Sequence, residues 1–229
     1  MAPSCPWNVA TSALQDFCEP EVCGWLLEPG NSLSNIAFVI CGVFIIRRSQ
    51  THYQSYLAII GWVAIITGIA SGLYHGTGLS WAGEADLWAM FLGTGMMTAL
   101  NLRRWMKWSY FWISVVGLAT TVSLISLSYL FPQHGRVIYA LGAPCLLIEL
   151  RLFILRRHSI SYSNFVRAWL LSLAGLAFWW LDSERVWCEG YSHFLSGHIL
   201  WHVLCAISIY YFFLFYEQFP VFSTERGNA

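Results

Sequence analysis

Gly68–Met90 reads GIASGLYHGTGLSWAGEADLWAM, and it sets Ser71, His75 and Asp86 into otherwise apolar sequence. Ser71 and His75 are four residues apart, so on a helix they share one face, a turn above each other. Gly68, Gly72 and Gly76 recur at the same interval beside that face, a spacing that lets helices approach closely. Far downstream, Gly197-His198-Ile199-Leu200-Trp201-His202 repeats the pattern, with two histidines one helical turn apart in a second apolar run. Ionisable groups are expensive in lipid and tend to be functional there. The two stretches therefore read as halves of one polyhistidine metal site inside a membrane.

Composition supports the membrane. Hydrophobic residues make up 57% of the chain and charged residues only 10%, far from an ordinary soluble domain. Formal net charge is zero, so no basic field points to nucleic acid. The opening MAPSCPWNVATSALQD lacks a basic n-region and an apolar h-region. No cleaved signal peptide is expected, and the first membrane helix serves as its own targeting signal.

The expected fold is an all-α membrane protein, a seven-transmembrane helix bundle in one domain. Residues 1–30 read as an extracytoplasmic cap, 31–216 as the bundle and 217–229 as a cytoplasmic tail. The spans are Leu33–Ile46, Tyr56–His75, Ala85–Leu102, Tyr110–Phe131, Val137–Leu155, Phe165–Leu181 and Phe194–Tyr216, most of them near the roughly 20 residues that cross a hydrocarbon core. Arg47, Arg48, Arg103, Arg104, Lys107, Arg156, Arg157, Arg167 and Arg226 fall on one side, against Arg136 and Arg185 on the other. Basic loops stay cytoplasmic, which puts the N-terminus outside and the C-terminus in the cytoplasm. His75, Asp86, His198 and His202 then meet at one depth, toward the non-cytoplasmic side. Glu149 and Arg151, two apart, cannot face each other on a helix and each needs a partner elsewhere.

Neutral imidazoles are good zinc ligands, and three of them leave a fourth position for water. Zinc lowers the pKa of that water and polarises a carbonyl. Asp86 is placed to take or hold the water's proton, and Ser71 to donate to an oxyanion. The plainer reading of each histidine is a hydrogen-bonded packing group, since polar side chains also hold membrane helices together. The acidic run Asp16, Glu19, Glu21 and Glu28 reads, on its own, as a solvated face.

The pattern Ser71-x3-His75-x10-Asp86, followed by His198-x3-His202, resembles the alkaline ceramidases and more broadly the CREST superfamily of seven-helix membrane hydrolases. The resemblance extends to the N-terminus, in Asp16-Phe17-Cys18-Glu19, Glu28 and Asn31-Ser32-Leu33-Ser34-Asn35. It implies zinc on His75, His198 and His202, with Ser71 and Asp86 as catalytic residues beside a metal water that hydrolyses a lipid amide to a fatty acid and a sphingoid-type amine. It also implies calcium held by Asp16, the Phe17 carbonyl, Glu19, Glu21 and Glu28, and oxygen-only ligands suit calcium. A Cys18–Cys188 disulfide is implied too, with Cys5 and Cys23 left over as a possible pair. The chain departs from the family pattern at Phe17, where tryptophan is usual, at Glu21, where asparagine is usual, and at Leu87, where an acidic residue is usual.

The expected partner is a membrane lipid substrate, with no protein partner evident, and the expected location is a bacterial inner membrane or an endomembrane. Alternatives are a receptor or sensor of adiponectin-receptor type, which would place the N-terminus in the cytosol, an esterase acting on another membrane lipid, and a transporter.

Overall fold

A computed structural model describes residues 6–7, 14, 17–52, 54–132, 144–156, 160–186, 188 and 195–222. Among them all regular structure is helical: α1 Pro29–Ser34, α2 Ile36–Thr51, α3 Ala58–Thr77, α4 Ser80–Met106, α5 Tyr110–Leu130, α6 Pro144–Arg156, α7 Ser163–Ser183 and α8 Gly197–Glu217, with short 3-10 turns at Ser55–Leu57 and Pro220–Phe222. Asp16, Cys5, residues 137–143 of the expected fifth span, Phe194 at the start of the seventh and residues 223–229 of the tail lie outside the described residues.

Among the described residues five segments are long and apolar enough to cross a membrane: Pro29–Thr51, Ser55–Thr77, Tyr110–Leu130, Ser163–Ser183 and Gly197–Glu217. The helix α4 is longer, at 27 residues, but Glu84, Asp86, Arg103 and Arg104 lower its hydropathy. It also starts earlier than Ala85, because the chain turns at Gly78, whose φ of 65° is costly for any other residue, and enters the helix directly at Ser80.

The distribution of side chains is inverted relative to a water-soluble bundle. Phe44, Leu118 and Leu170 are about 60% exposed, whereas Asn101, Glu149 and Asp182 are no more than 2% exposed. Helices facing hydrocarbon bury their polar groups against one another and turn apolar side chains outward.

Lipid is as apolar as leucine, so helix association depends on close approach and interhelical hydrogen bonds. Glycine supplies the approach. A Cβ on Gly42 of α2 would come within 2.5 Å of the Gly61 carbonyl oxygen of α3, and one on Gly61 would be as close to Gly42. Gly68 lies against Asn35 and Phe38, Gly72 against Ser32 and Asn35, and Gly76 against Leu26 and Ser32, so the glycine stripe seats α1 and the cap on α3. Polar contacts tie in α8: Cys41 Sγ donates to the Ala206 carbonyl at 3.0 Å, and Ser208 Oγ to the Ala168 carbonyl of α7 at 2.8 Å.

The far end of the bundle holds an apolar cluster of Ile45, Leu57, Ile60, Leu100, Phe213, Phe215 and Tyr216. Beside it Arg104 folds inward and pairs with Glu149 of α6. Tyr162 donates to the same carboxylate at 2.8 Å, Tyr216 donates to Asn101 at 2.7 Å, and the guanidinium lies 3.7 Å from the Phe219 ring centroid. Arg104 is thus a buried partner for Glu149 rather than a residue of the basic rim.

Candidate metal centre

His75 is in the last turn of α3, and the cap completes that helix end. The backbone N–H of Leu27 donates to the Gly76 carbonyl at 2.9 Å, and that of Glu28 to the His75 carbonyl at 3.1 Å. Carbonyls at a helix C-terminus have no partner within the helix, and these two donors satisfy them. The same pairing lays the Glu28 side chain beside the His75 ring, with Oε2 2.6 Å from Nδ1.

Asn31 joins the neighbouring elements. Its backbone N–H donates to Glu19 Oε2 at 2.6 Å, its amide nitrogen to Glu28 Oε2 at 3.1 Å, and its amide oxygen accepts from Ser196 Oγ at 3.1 Å. Glu19 also accepts the Gly30 N–H at 2.7 Å, so its carboxylate caps α1. Ser34 Oγ donates to the Asn31 carbonyl at 2.9 Å and lies 2.7 Å from His202 Nδ1. With its hydrogen on that carbonyl, the Ser34 hydroxyl oxygen is free to accept from an Nδ1–H of His202.

The consequence is a shared tautomer. With the proton on Nδ1, the tautomer that lets Glu28 and Ser34 accept, His75 and His202 each present an unprotonated Nε2. His75 Nε2 and His198 Nε2 are 3.1 Å apart, and ligand nitrogens of all three histidines lie within 4.8 Å of one another. Two nitrogens on one tetrahedral zinc at the usual bond length stand about 3.3 Å apart. The donor set therefore fits a metal ion, with Glu28 and Ser34 as the outer partners that such histidines use. Among the described residues this is the one group of three or more histidine, cysteine or acidic side chains close enough to share an ion. All three rings are buried.

Ser71 and Asp86 meet beside this cluster. Ser71 hydrogen-bonds the half-buried Asp86 carboxyl. The positions expected from sequence on α3, α4 and α8 thus converge at one end of the bundle.

The acidic cap is arranged otherwise than a solvated face. Glu19 and Glu28 are 3% and 1% exposed. Burial raises the Glu28 carboxyl above the ordinary glutamate range, and the contacts from His75 and Asn31 oppose that rise by favouring the ionised form. Glu21 Oε2 is buried with no hydrogen-bond partner among the described residues. The Phe17 ring packs 4.0 Å from the His198 ring and 5.6 Å from that of His75, centroid to centroid. Cys18 and Cys188 are joined by a disulfide, and Cys23 is also disulfide-bonded.

Sequence reading missed Asn31 as a hub and Asp182 altogether. Asp182, at the end of α7, accepts the Cys18 N–H at 2.9 Å and the His198 N–H at 3.0 Å. The one local signal was a carboxylate closing an apolar span.

A protein whose described residues form only helices, several of membrane type, around a buried three-histidine cluster able to hold a metal ion is the class that fold and site define. The Ceramidase family model matches residues 9–229, nearly the whole chain, and the chain belongs to that family. Comparison with curated proteins finds no match.

Proposed function

We propose that the chain is an intramembrane, zinc-dependent lipid amide hydrolase that cleaves a ceramide-like substrate to a fatty acid and a sphingoid-type amine. The observation that carries this reading is the three-imidazole cluster with the Ser71–Asp86 pair beside it. His75, His198 and His202 would hold the ion. Bound there, zinc supplies Lewis acidity, making a water more acidic and polarising the amide carbonyl.

The remaining work belongs to side chains of this protein. Asp86 accepts the proton that water gives up as its oxygen bonds to the carbonyl carbon. It returns that proton to the nitrogen as the C–N bond breaks, so the amine leaves neutral. Ser71 holds the Asp86 carboxylate in place through its hydrogen bond, and rotation of the hydroxyl turns the same donor toward the developing oxyanion. Glu28 and Ser34 keep Nε2 of His75 and His202 free for the metal. The site faces the non-cytoplasmic side of a seven-span bundle in this reading, with the cap above it.

A calcium ion in the cap, on Asp16, the Phe17 carbonyl, Glu19, Glu21 and Glu28, belongs to the same proposal. Its support is the buried, unpartnered oxygen of Glu21 and the closeness of Glu19 to Glu28.

The test is Asp86→Asn. We expect zinc content equal to that of the wild type and loss of fatty-acid release from a panel of lipid amides and esters. Retained release sinks the role of Asp86, and release from esters alone moves the substrate to another membrane lipid.

A further inference from the structure

The three histidines are not held alike. Nδ1 of His75 has Glu28 and Nδ1 of His202 has Ser34, but Nδ1 of His198 is buried with no hydrogen-bond partner among the described residues. A histidine ligand ordinarily gains its orientation from the hydrogen bond on its other nitrogen. His198 has to gain it elsewhere.

Two constraints are available, and both pass through Asp182. The carboxylate is fully buried at the end of α7. Its Oδ2 accepts the backbone N–H of His198 at 3.0 Å, fixing the first turn of α8. Gly197 permits that approach, because a Cβ there would lie 2.5 Å from the Phe178 carbonyl oxygen and 3.0 Å from Asp182 Cβ. The other oxygen, Oδ1, accepts the Cys18 N–H at 2.9 Å. Cys18 follows Phe17, whose ring lies against the His198 imidazole. The disulfide to Cys188 holds the same segment.

We infer that Asp182 is a positioning residue for the metal centre, one carboxylate that fixes the backbone of His198 with one oxygen and the ring packed against its imidazole with the other. Helix α8 starts there, so the negative charge also suits the positive end of its dipole. An ordinary helix cap would stabilise the fold without tuning the metal. Asp182 does both, because both groups it binds lead to the imidazole that has no outer partner among the described residues. The inference rests on reading the three histidines as a metal site.

The test uses the full-length protein in detergent, loaded with zinc or with Co(II). Asp182→Asn keeps the shape but turns an N–H toward one of the two donors, so one bond is lost. We expect zinc release into excess chelator to be faster by about tenfold or more, the usual scale for losing an outer partner, with altered visible bands of bound Co(II). Phe17→Leu, which leaves the Asp182 bonds intact, is expected to alter the Co(II) bands in the same sense with a smaller rate effect. A variant whose metal-free Tm falls while zinc release stays within about twofold of wild type and the Co(II) bands are unchanged would make Asp182 a structural cap only and overturn the inference. If Asp182→Asn does not fold, Phe17→Leu decides, and unchanged Co(II) bands in it have the same meaning. A wild-type protein that takes up neither zinc nor cobalt overturns the metal-site reading itself, and this inference with it.

Discussion

Glu28 Oε2 lies 2.6 Å from Nδ1 of His75, and both side chains are 1% exposed. A carboxylate from the cap thereby sets the tautomer of a histidine at the end of α3. Glu28→Gln keeps the shape but replaces an anion with a neutral amide, so zinc affinity should fall by about 10–100-fold. Ser34→Ala removes the neutral partner of His202 and should fall at the low end of that range. Competition with a chromophoric chelator measures both, and unchanged affinity in Glu28→Gln would separate the carboxylate from the metal.

Arg104 and Glu149 are paired far from the histidines, with side chains only 4% and 3% exposed. Arg104→Ala leaves Glu149 charged and buried, which should destabilise the protein by about 3–5 kcal/mol. Replacing both by methionine should recover most of that loss, and zinc content should be unchanged in either variant. Thermal unfolding in detergent with metal analysis checks this; a stable Arg104→Ala protein would contradict it.

Tyr162 donates to Glu149 and precedes α7. Burial first, then the neighbouring carboxylate, pushes its phenol from 10.0 up to about 12. The folded state therefore favours the neutral phenol. Its contribution to stability is complete below pH 10 and is lost as the pH rises through about 12. Across that window Tm should fall more steeply for the wild type than for Tyr162→Phe, and parallel curves would count against it.

Glu21 leaves a buried carboxylate oxygen without a hydrogen-bond partner among the described residues. If calcium occupies the cap, Glu21→Gln should lose most of the rise in Tm that added calcium gives the wild type. An identical calcium response in the variant would remove Glu21 from the ligands. Glu28 is a poorer probe, because it also touches His75.

His75, His198 and His202 were legible because each stands in an apolar run, two of them one turn apart, where a polar side chain needs a reason. The glycine stripe was legible for the same geometric cause, since a four-residue repeat marks one helix face. What holds the histidines was less so. Glu28 and His75 are 47 residues apart and Cys18 and Asp182 are 164 apart, distances that only the packing of cap and helices closes. Arg104 reads as part of a basic rim with Arg103 and Lys107 because the three stand close in sequence, whereas the helix turns Arg104 toward Glu149. Asn31 at a helix start looks like an ordinary cap, and its three-way role depends on Ser196, the N-cap of α8.

The central claim is tested most directly by measuring zinc content and fatty-acid release together for the purified protein and for His198→Ala. A panel of ceramide-like amides serves as substrate. The account predicts about one zinc per chain in the wild type with release of fatty acid, and loss of both in the variant. Equal zinc in the two proteins, or no release from any lipid by the wild type, would contradict it.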